Sequence, residues 1–97
     1  MSYKLLVKPQ AIAQTAVIHA YHQEIEQKLA DRFSKALDEC YAFIERNPTA
    51  CRIRKKNYRH MMMRKFRYRV MFALIGQDVV VFQVRHTSRK PSKQFGP

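Results

Sequence analysis

The sequence predicts an α+β domain: an N-terminal strand, a helical hairpin, then an antiparallel meander with both helices packed on one face of the sheet. Three observations predict it. Apolar residues recur at helical spacing from Ile18 to Ile44, with no Gly or Pro between Pro9 and Asn47. Beyond Pro48 the apolar period falls to two, the signature of strands with one buried face. At 97 residues and 46% hydrophobic composition there is material for one core, so residues 1–97 are read as a single domain.

Tyr3 to Val7 is a short β-prone run ending at Lys8-Pro9, and proline suits the first turn of a helix, where its missing donor has no partner in any case. The helical phase then runs through Ile18, His22, Ile25, Leu29, Phe33, Ala36/Leu37, Cys40 and Ile44. One continuous helix of about 37 residues would be about 55 Å long. A compact domain of this size has a radius of gyration of about 13 Å, so a fold-back is expected, placed at the polar stretch Gln23-Glu24-Ile25-Glu26-Gln27. Asn47-Pro48 ends the second helix, because the residue before proline is pushed out of the α region.

Three strands follow: Tyr58 to Arg64, Tyr68 to Ile75 and Val79 to Arg85, the last two joined by the turn Ile75-Gly76-Gln77-Asp78. Val70, Phe72 and Leu74 share one face of the middle strand, and Arg69, Met71 and Ala73 the other. In the last strand Val80, Phe82 and Val84 alternate with Val79, Val81, Gln83 and Arg85. The greasy face is expected to pack on the helices and the Arg-bearing face to stay uncovered. Met61 and Met63 are expected to fill core gaps while Met62 faces out. The tail, residues 87–97, is expected to lie loose or to dock by Phe95.

Charge divides the chain in two. Residues 1–46 carry six Lys/Arg against six Asp/Glu, and residues 47–97 carry thirteen against Asp78 alone, so the whole net charge of +12 lies in the second half. A solvated sheet face does not need that imbalance; a strongly negative partner does, whether nucleic acid, anionic membrane or acidic protein. Basic residues interleaved with Tyr and Phe suit phosphate contact and base stacking. The candidate contact residues are Arg52, Arg54, Lys55, Lys56, Arg59, Arg64, Lys65, Arg67, Arg85 and Arg89.

Other chemistry is largely excluded. There is no Gly-rich phosphate loop, nucleophile elbow or paired-carboxylate arrangement. His19 and His22 stand three apart on a helix without a third ligand of matching spacing, so helix packing is their expected role and neither metal nor cofactor is expected. His60 and His86 fall where strands meet the basic surface, where a histidine beside arginines has the chemistry for acid–base work on a phosphodiester. Cys40 and Cys51 lack CxxC spacing, and Leu5-Leu6-Val7 is too short for a signal-peptide core, so free thiols in the cytoplasm are expected. Pro9 to Gln23, the longest uncharged stretch, falls short of the roughly 20 apolar residues that cross a bilayer.

A strand, a helical hairpin ending in Asn47-Pro48, and a basic meander closing in Arg85-His86-Thr87-Ser88-Arg89-Lys90-Pro91 resemble the RelE/ParE superfamily of type II toxin-antitoxin toxins. The resemblance covers essentially the whole chain. Its most specific parts are Phe66-Arg67-Tyr68-Arg69-Val70-Met71-Phe72, then Val79-Val80-Val81-Phe82 after a short hairpin, and the ending His86-x-x-Arg89-x-Pro91. The superfamily holds ribosome-dependent mRNA endonucleases of the RelE type and DNA gyrase poisons of the ParE type, both restrained by an acidic-tailed antitoxin.

Carried over residue by residue, the resemblance implies that Arg69, Arg64 and Arg89 stand where the nuclease keeps arginines. The nuclease's two lysines fall on His60 and Met62, and its C-terminal tyrosine on Phe95. A methionine serves neither a proton nor a phosphate, and phenylalanine lacks the hydroxyl. The resemblance therefore implies a ParE-like growth inhibitor, neutralised by a cognate acidic antitoxin from an adjacent gene and directed at DNA gyrase. Its alternative is an mRNA endonuclease with Arg69, Arg64 and Arg89 around the scissile phosphate and His60 or His86 as proton carrier. A basic nucleic-acid-binding module would keep the charge but leave the helical hairpin without a purpose.

Overall fold

The structure is a computed structural model that describes residues 3–87. In chain order it contains β1 (Lys4–Val7), α1 (Pro9–Ile25), α2 (Gln27–Arg46), a 3-10 turn (Pro48–Ala50), β2 (Ile53–Lys55), β3 (Tyr58–Met62), β4 (Tyr68–Ile75) and β5 (Asp78–His86). The five strands form one sheet in the order β1-β5-β4-β3-β2, with β1 parallel to β5 and the remaining pairs antiparallel. The α+β architecture is the one expected from the sequence, and the radius of gyration is 13.1 Å. Arg89, Phe95 and the tail from residue 88 onward lie outside the described residues.

The helical hairpin breaks at Glu26, whose φ of −165° and ψ of 134° are extended. No Gly or Pro marks the place, so tertiary packing sets it: two shorter helices bury two faces on one sheet, which a single rod cannot do. Across the break His22 stacks on Phe33 with ring centroids 5.4 Å apart and planes 11° from parallel. The chain Gln23 Nε2 to Gln27 Oε1 to Asp31, with Gln27 Nε2 donating to Asp31 Oδ1, ties the two helices along the outside. In α2 the buried residues Ala30, Phe33, Ala36, Leu37, Cys40 and Ile44 follow the expected stripe. In α1 only Ala11 and His22 are buried, and Ile25, expected on the stripe, is turned outward at the break.

The core lies between helices and sheet. Phe33, Ile44, Val70, Phe72, Val79 and Val81 are its most enclosed members, with Leu5 and Val7 of β1 packed at its margin. Its composition corrects the face assignment expected for the last strand. Met71 pairs with Gln83 but Phe72 pairs with Val81, so Phe82 is an inserted residue, a β-bulge. Strict alternation would put Val80, Phe82 and Val84 together; with the bulge, Val79, Val81 and Val84 enter the core while Val80 and Phe82 lie on the opposite face. The bulge is stitched to the helices by Gln14, whose side-chain oxygen accepts from the Val84 amide at 2.8 Å.

Two strand boundaries also differ from expectation. β3 ends at Met62 instead of Arg64, because Met63 turns into the core and Lys65 takes a left-handed φ of 66°. The basic run before Tyr58 contributes an additional short strand, β2, whose turn places Lys56 at φ 54°. Met61 packs against the core, Met63 is buried and Met62 is exposed, as expected. In the β4–β5 hairpin Gly76 takes φ +62°, the left-handed position that a two-residue turn requires.

Candidate binding face and groove

Register places the basic residues. Side chains directly opposite one another in a ladder share a face, so the face away from the helices is built of cross-strand rows. Met62, Arg69 and Arg85 make one row, His60, Met71 and Gln83 the next, and Tyr58, Ala73, Val80 and Leu6 a third. At the apolar end Tyr58 meets Phe82 edge to face at 5.4 Å, over buried Ala73 and Val80. At the other end stand the arginines. This face is uncovered by helix, as expected.

Electrostatics identifies the centre of the cationic end. The His60 imidazole is held below its ordinary pKa, first by burial and then by the positive charges of Arg69, Arg54 and Arg52. Burial, and then Arg54, likewise draw Arg69 below the usual arginine value. Arg52, Arg54, His60 and Arg69 therefore form one mutually repelling group. Within it, His60 Nδ1 and Arg69 Nε are buried atoms without a hydrogen-bond partner among the described residues. An anion docking here would relieve repulsion that the free protein bears.

The other candidates fall elsewhere. Arg59 points to the opposite side and donates through Nη1 to the Cys51 carbonyl at 2.7 Å, a contact that fixes the start of β2. Lys55 ends β2, and Lys56 is exposed in the turn that follows. Arg64, Lys65 and Arg67 lie exposed in the β3–β4 connection, outside the strands, and are not among the charges that act on His60. His86 pairs across the ladder with Tyr68, and the two rings meet edge to face at 5.2 Å. This is the helix-facing side, so the structure separates His86 from His60 by the thickness of the sheet. Arg89 lies outside the described residues.

A second feature escaped sequence reasoning. An open groove of about 930 Å³ runs between α1 and the far end of β4 and β5, with Val17 and Tyr21 on one wall, Phe66 and Tyr68 on the other, and Lys65, Arg67 and His86 around it. Its base is an aromatic cluster in which His22 touches Phe33, Phe66 and Tyr68 at centroid distances from 5.4 to 6.0 Å. Val17 and Tyr21 are 70% and 59% exposed, a large apolar exposure for one helix. The available signal was the uncharged stretch from Pro9 to Gln23, which puts apolar side chains around the whole circumference of α1.

Cys40 and Cys51 are free and buried. Burial, and secondarily Cys51, push the Cys40 thiol up to about 12, so it is a protonated core side chain with little nucleophilic character. Among the described residues no group of three or more His, Cys, Asp and Glu is placed to hold a metal ion, and no helix is long and apolar enough to cross a membrane.

The site thus sits on an α+β domain of strand, helical hairpin and bulged meander, with one cationic open face. Over residues 5–91 the chain matches the family described as the ParE toxin of type II toxin-antitoxin systems, parDE, and it belongs to that family. It is thus the toxin half of a type II toxin-antitoxin pair. Among solved structures it is similar to a chain of a chromosomal ParDE toxin-antitoxin system from P. aeruginosa, with 11% identity, 90% of this chain and 98% of that chain covered, and a TM-score of 0.80. At that identity the likeness is one of fold. No curated protein matches the sequence.

Proposed function

We propose that this toxin acts by binding a target macromolecule through its open sheet face, without breaking a bond, and that an acidic antitoxin from an adjacent gene restrains it. The resemblance to the ParE branch makes DNA gyrase the target of this reading. The observation that carries it is the separation of the two candidate proton carriers. Cleaving a phosphodiester by attack of a 2′-hydroxyl takes a base on one side of the phosphate and an acid on the other. His60 is on the open face, and His86 is packed against Tyr68 on the opposite side. Among the described residues the open face offers one imidazole, and beside Arg69 stands Met62, which carries no proton and no charge.

Purified toxin is expected to inhibit gyrase-dependent supercoiling and to leave ribosome-bound mRNA intact. Because a charge-assisted contact is lost, Arg69→Ala should weaken inhibition roughly ten- to hundredfold through affinity alone. Defined cleavage of ribosome-bound mRNA by the wild type, lost in Arg69→Ala while ribosome binding persists, would overturn the reading in favour of an endonuclease.

A further inference from the structure

The two helices lie on one sheet yet meet solvent differently. The outward positions of α2 are ionic, with Asp31, Arg32, Lys35, Asp38 and Glu39 exposed. Those of α1 are apolar: Ile12, Ala13, Ala16, Val17, Ala20 and Tyr21 are all exposed, while Ala11 and His22 face the core. Between Pro9 and Ile25 the one Asp, Glu, Lys or Arg is Glu24. At 100° per residue, Ala13, Ala16, Val17, Ala20 and Glu24 fall within an arc of about 100°, opposite Ala11 and His22. A helix that is apolar all round is ordinarily covered all round. Just before α1 stands Lys8, and the first turn of the helix holds no acidic residue and no side-chain cap.

We propose that the outer face of α1 is the contact surface for a second copy of this chain, joined about a two-fold axis with the two α1 helices antiparallel. Charge selects the occupant. The stripe carries no cation and ends in Glu24, so a polyanion gains nothing there and is repelled. In the antiparallel pair Ala16 and Val17 flank the axis, Ala13 faces Ala20 of the other copy, and the small side chains let the helices approach closely. Glu24 of each copy then reaches the uncapped start of the other α1, where Lys8 and the positive end of the helix dipole receive it. The same geometry keeps the cationic halves apart. The open faces point outward, roughly 30 Å from each other across two sheets and two helices. That is several times the Debye length of about 8 Å at physiological salt.

Sedimentation equilibrium of the full chain, freed of nucleic acid, is expected to show a monomer passing to a dimer. Its Kd should be on the order of 10 µM, because two faces of a helix about 25 Å long make an interface at the small end of the specific range. Salt should tighten the dimer by screening the repulsion between two +12 chains. Ala16→Arg sets two guanidinium groups against each other at the axis, on an exposed position that tolerates a good helix former, and should raise Kd roughly tenfold or more. Under oxidised glutathione, Ala16→Cys should cross-link to itself, whereas Ala13→Cys should cross-link to Ala20→Cys in a mixture and not to itself. Glu24→Lys should weaken the dimer, and Lys8→Glu in the same chain should restore it. A monomer at about 500 µM, a Kd indifferent to Ala16→Arg, self-cross-linking of Ala13→Cys, or a dimer that salt dissociates, as bridging by a polyanion requires, would overturn the proposal. If Ale16→Arg loses its fold by circular dichroism, the cysteine pairs decide. No arm uses an antitoxin or a target, so failure of the dimer leaves the toxin reading standing, and failure of that reading leaves the dimer to be judged by these measurements.

Discussion

On the helix side of the sheet, Val70, Phe72, Val79, Val81 and Val84 lie in one dry core with Phe33 and Ile44. On the other side the same strands show a small apolar cluster, Ala73, Val80 and Phe82 under Tyr58, that gives way within two rows to Arg69 and Arg85. The bulge at Phe82 makes both faces possible. Were β5 regular, Gln83 and Arg85 would follow Val79 and Val81 into the core, and an unpaired buried guanidinium costs several kcal/mol. With one extra residue, Val84 enters the core and Arg85 emerges opposite Arg69. A single backbone irregularity thus serves stability on one face and charge on the other.

The largest effect expected from this contrast is on stability. Phe72→Ala empties the enclosed side and should cost about 3–5 kcal/mol, whereas Phe82→Ala opens a cavity on a face bare of helix, where neighbours can collapse, and should cost less. Denaturant midpoints measure both. Equal losses would mean that the two faces are one core. Next comes the stitch between α1 and the bulge: Gln14→Leu leaves the Val84 amide without its acceptor and should cost roughly 1–3 kcal/mol. A neutral result would show that water or a shifted register replaces Gln14, and that the bulge does not depend on the helix.

The element order was legible in the sequence because its signals are local: a change of period at Pro48, proline at the start of α1, Gly76 in the hairpin. The hairpin break was placed correctly in the stretch Gln23 to Gln27, though from a size argument and not from those residues, which all favour helix. What could not be read is non-local. The bulge depends on pairing between β4 and β5 and on Gln14, 70 residues away from Val84, and alternation counted along the strand alone assigns the wrong valines to the core. In the same way, the basic run from Arg52 to Arg69 looks uniform along the chain. Folding sorts it into an open-face group, a loop group and one arginine, Arg59, committed to a carbonyl.

The smallest expected effect tests the electrostatic half of the comparison. His60 has its pKa lowered from 6.5, with burial the first cause and Arg69, Arg54 and Arg52 after it. Between that lowered value and 6.5 the unfolded chain binds more protons at this site than the folded one, so stability rises with pH through that window and is flat above it. Acidification through the window removes it. In His60→Gln this part of the slope should vanish. Arg69→Gln removes the largest of the charge causes and leaves burial in place, so the imidazole pKa read by NMR titration should climb part of the way back towards 6.5. A His60 titration unmoved by Arg69→Gln would mean that the two side chains do not share a field, and that the open face is a set of separately solvated charges instead of one cationic site.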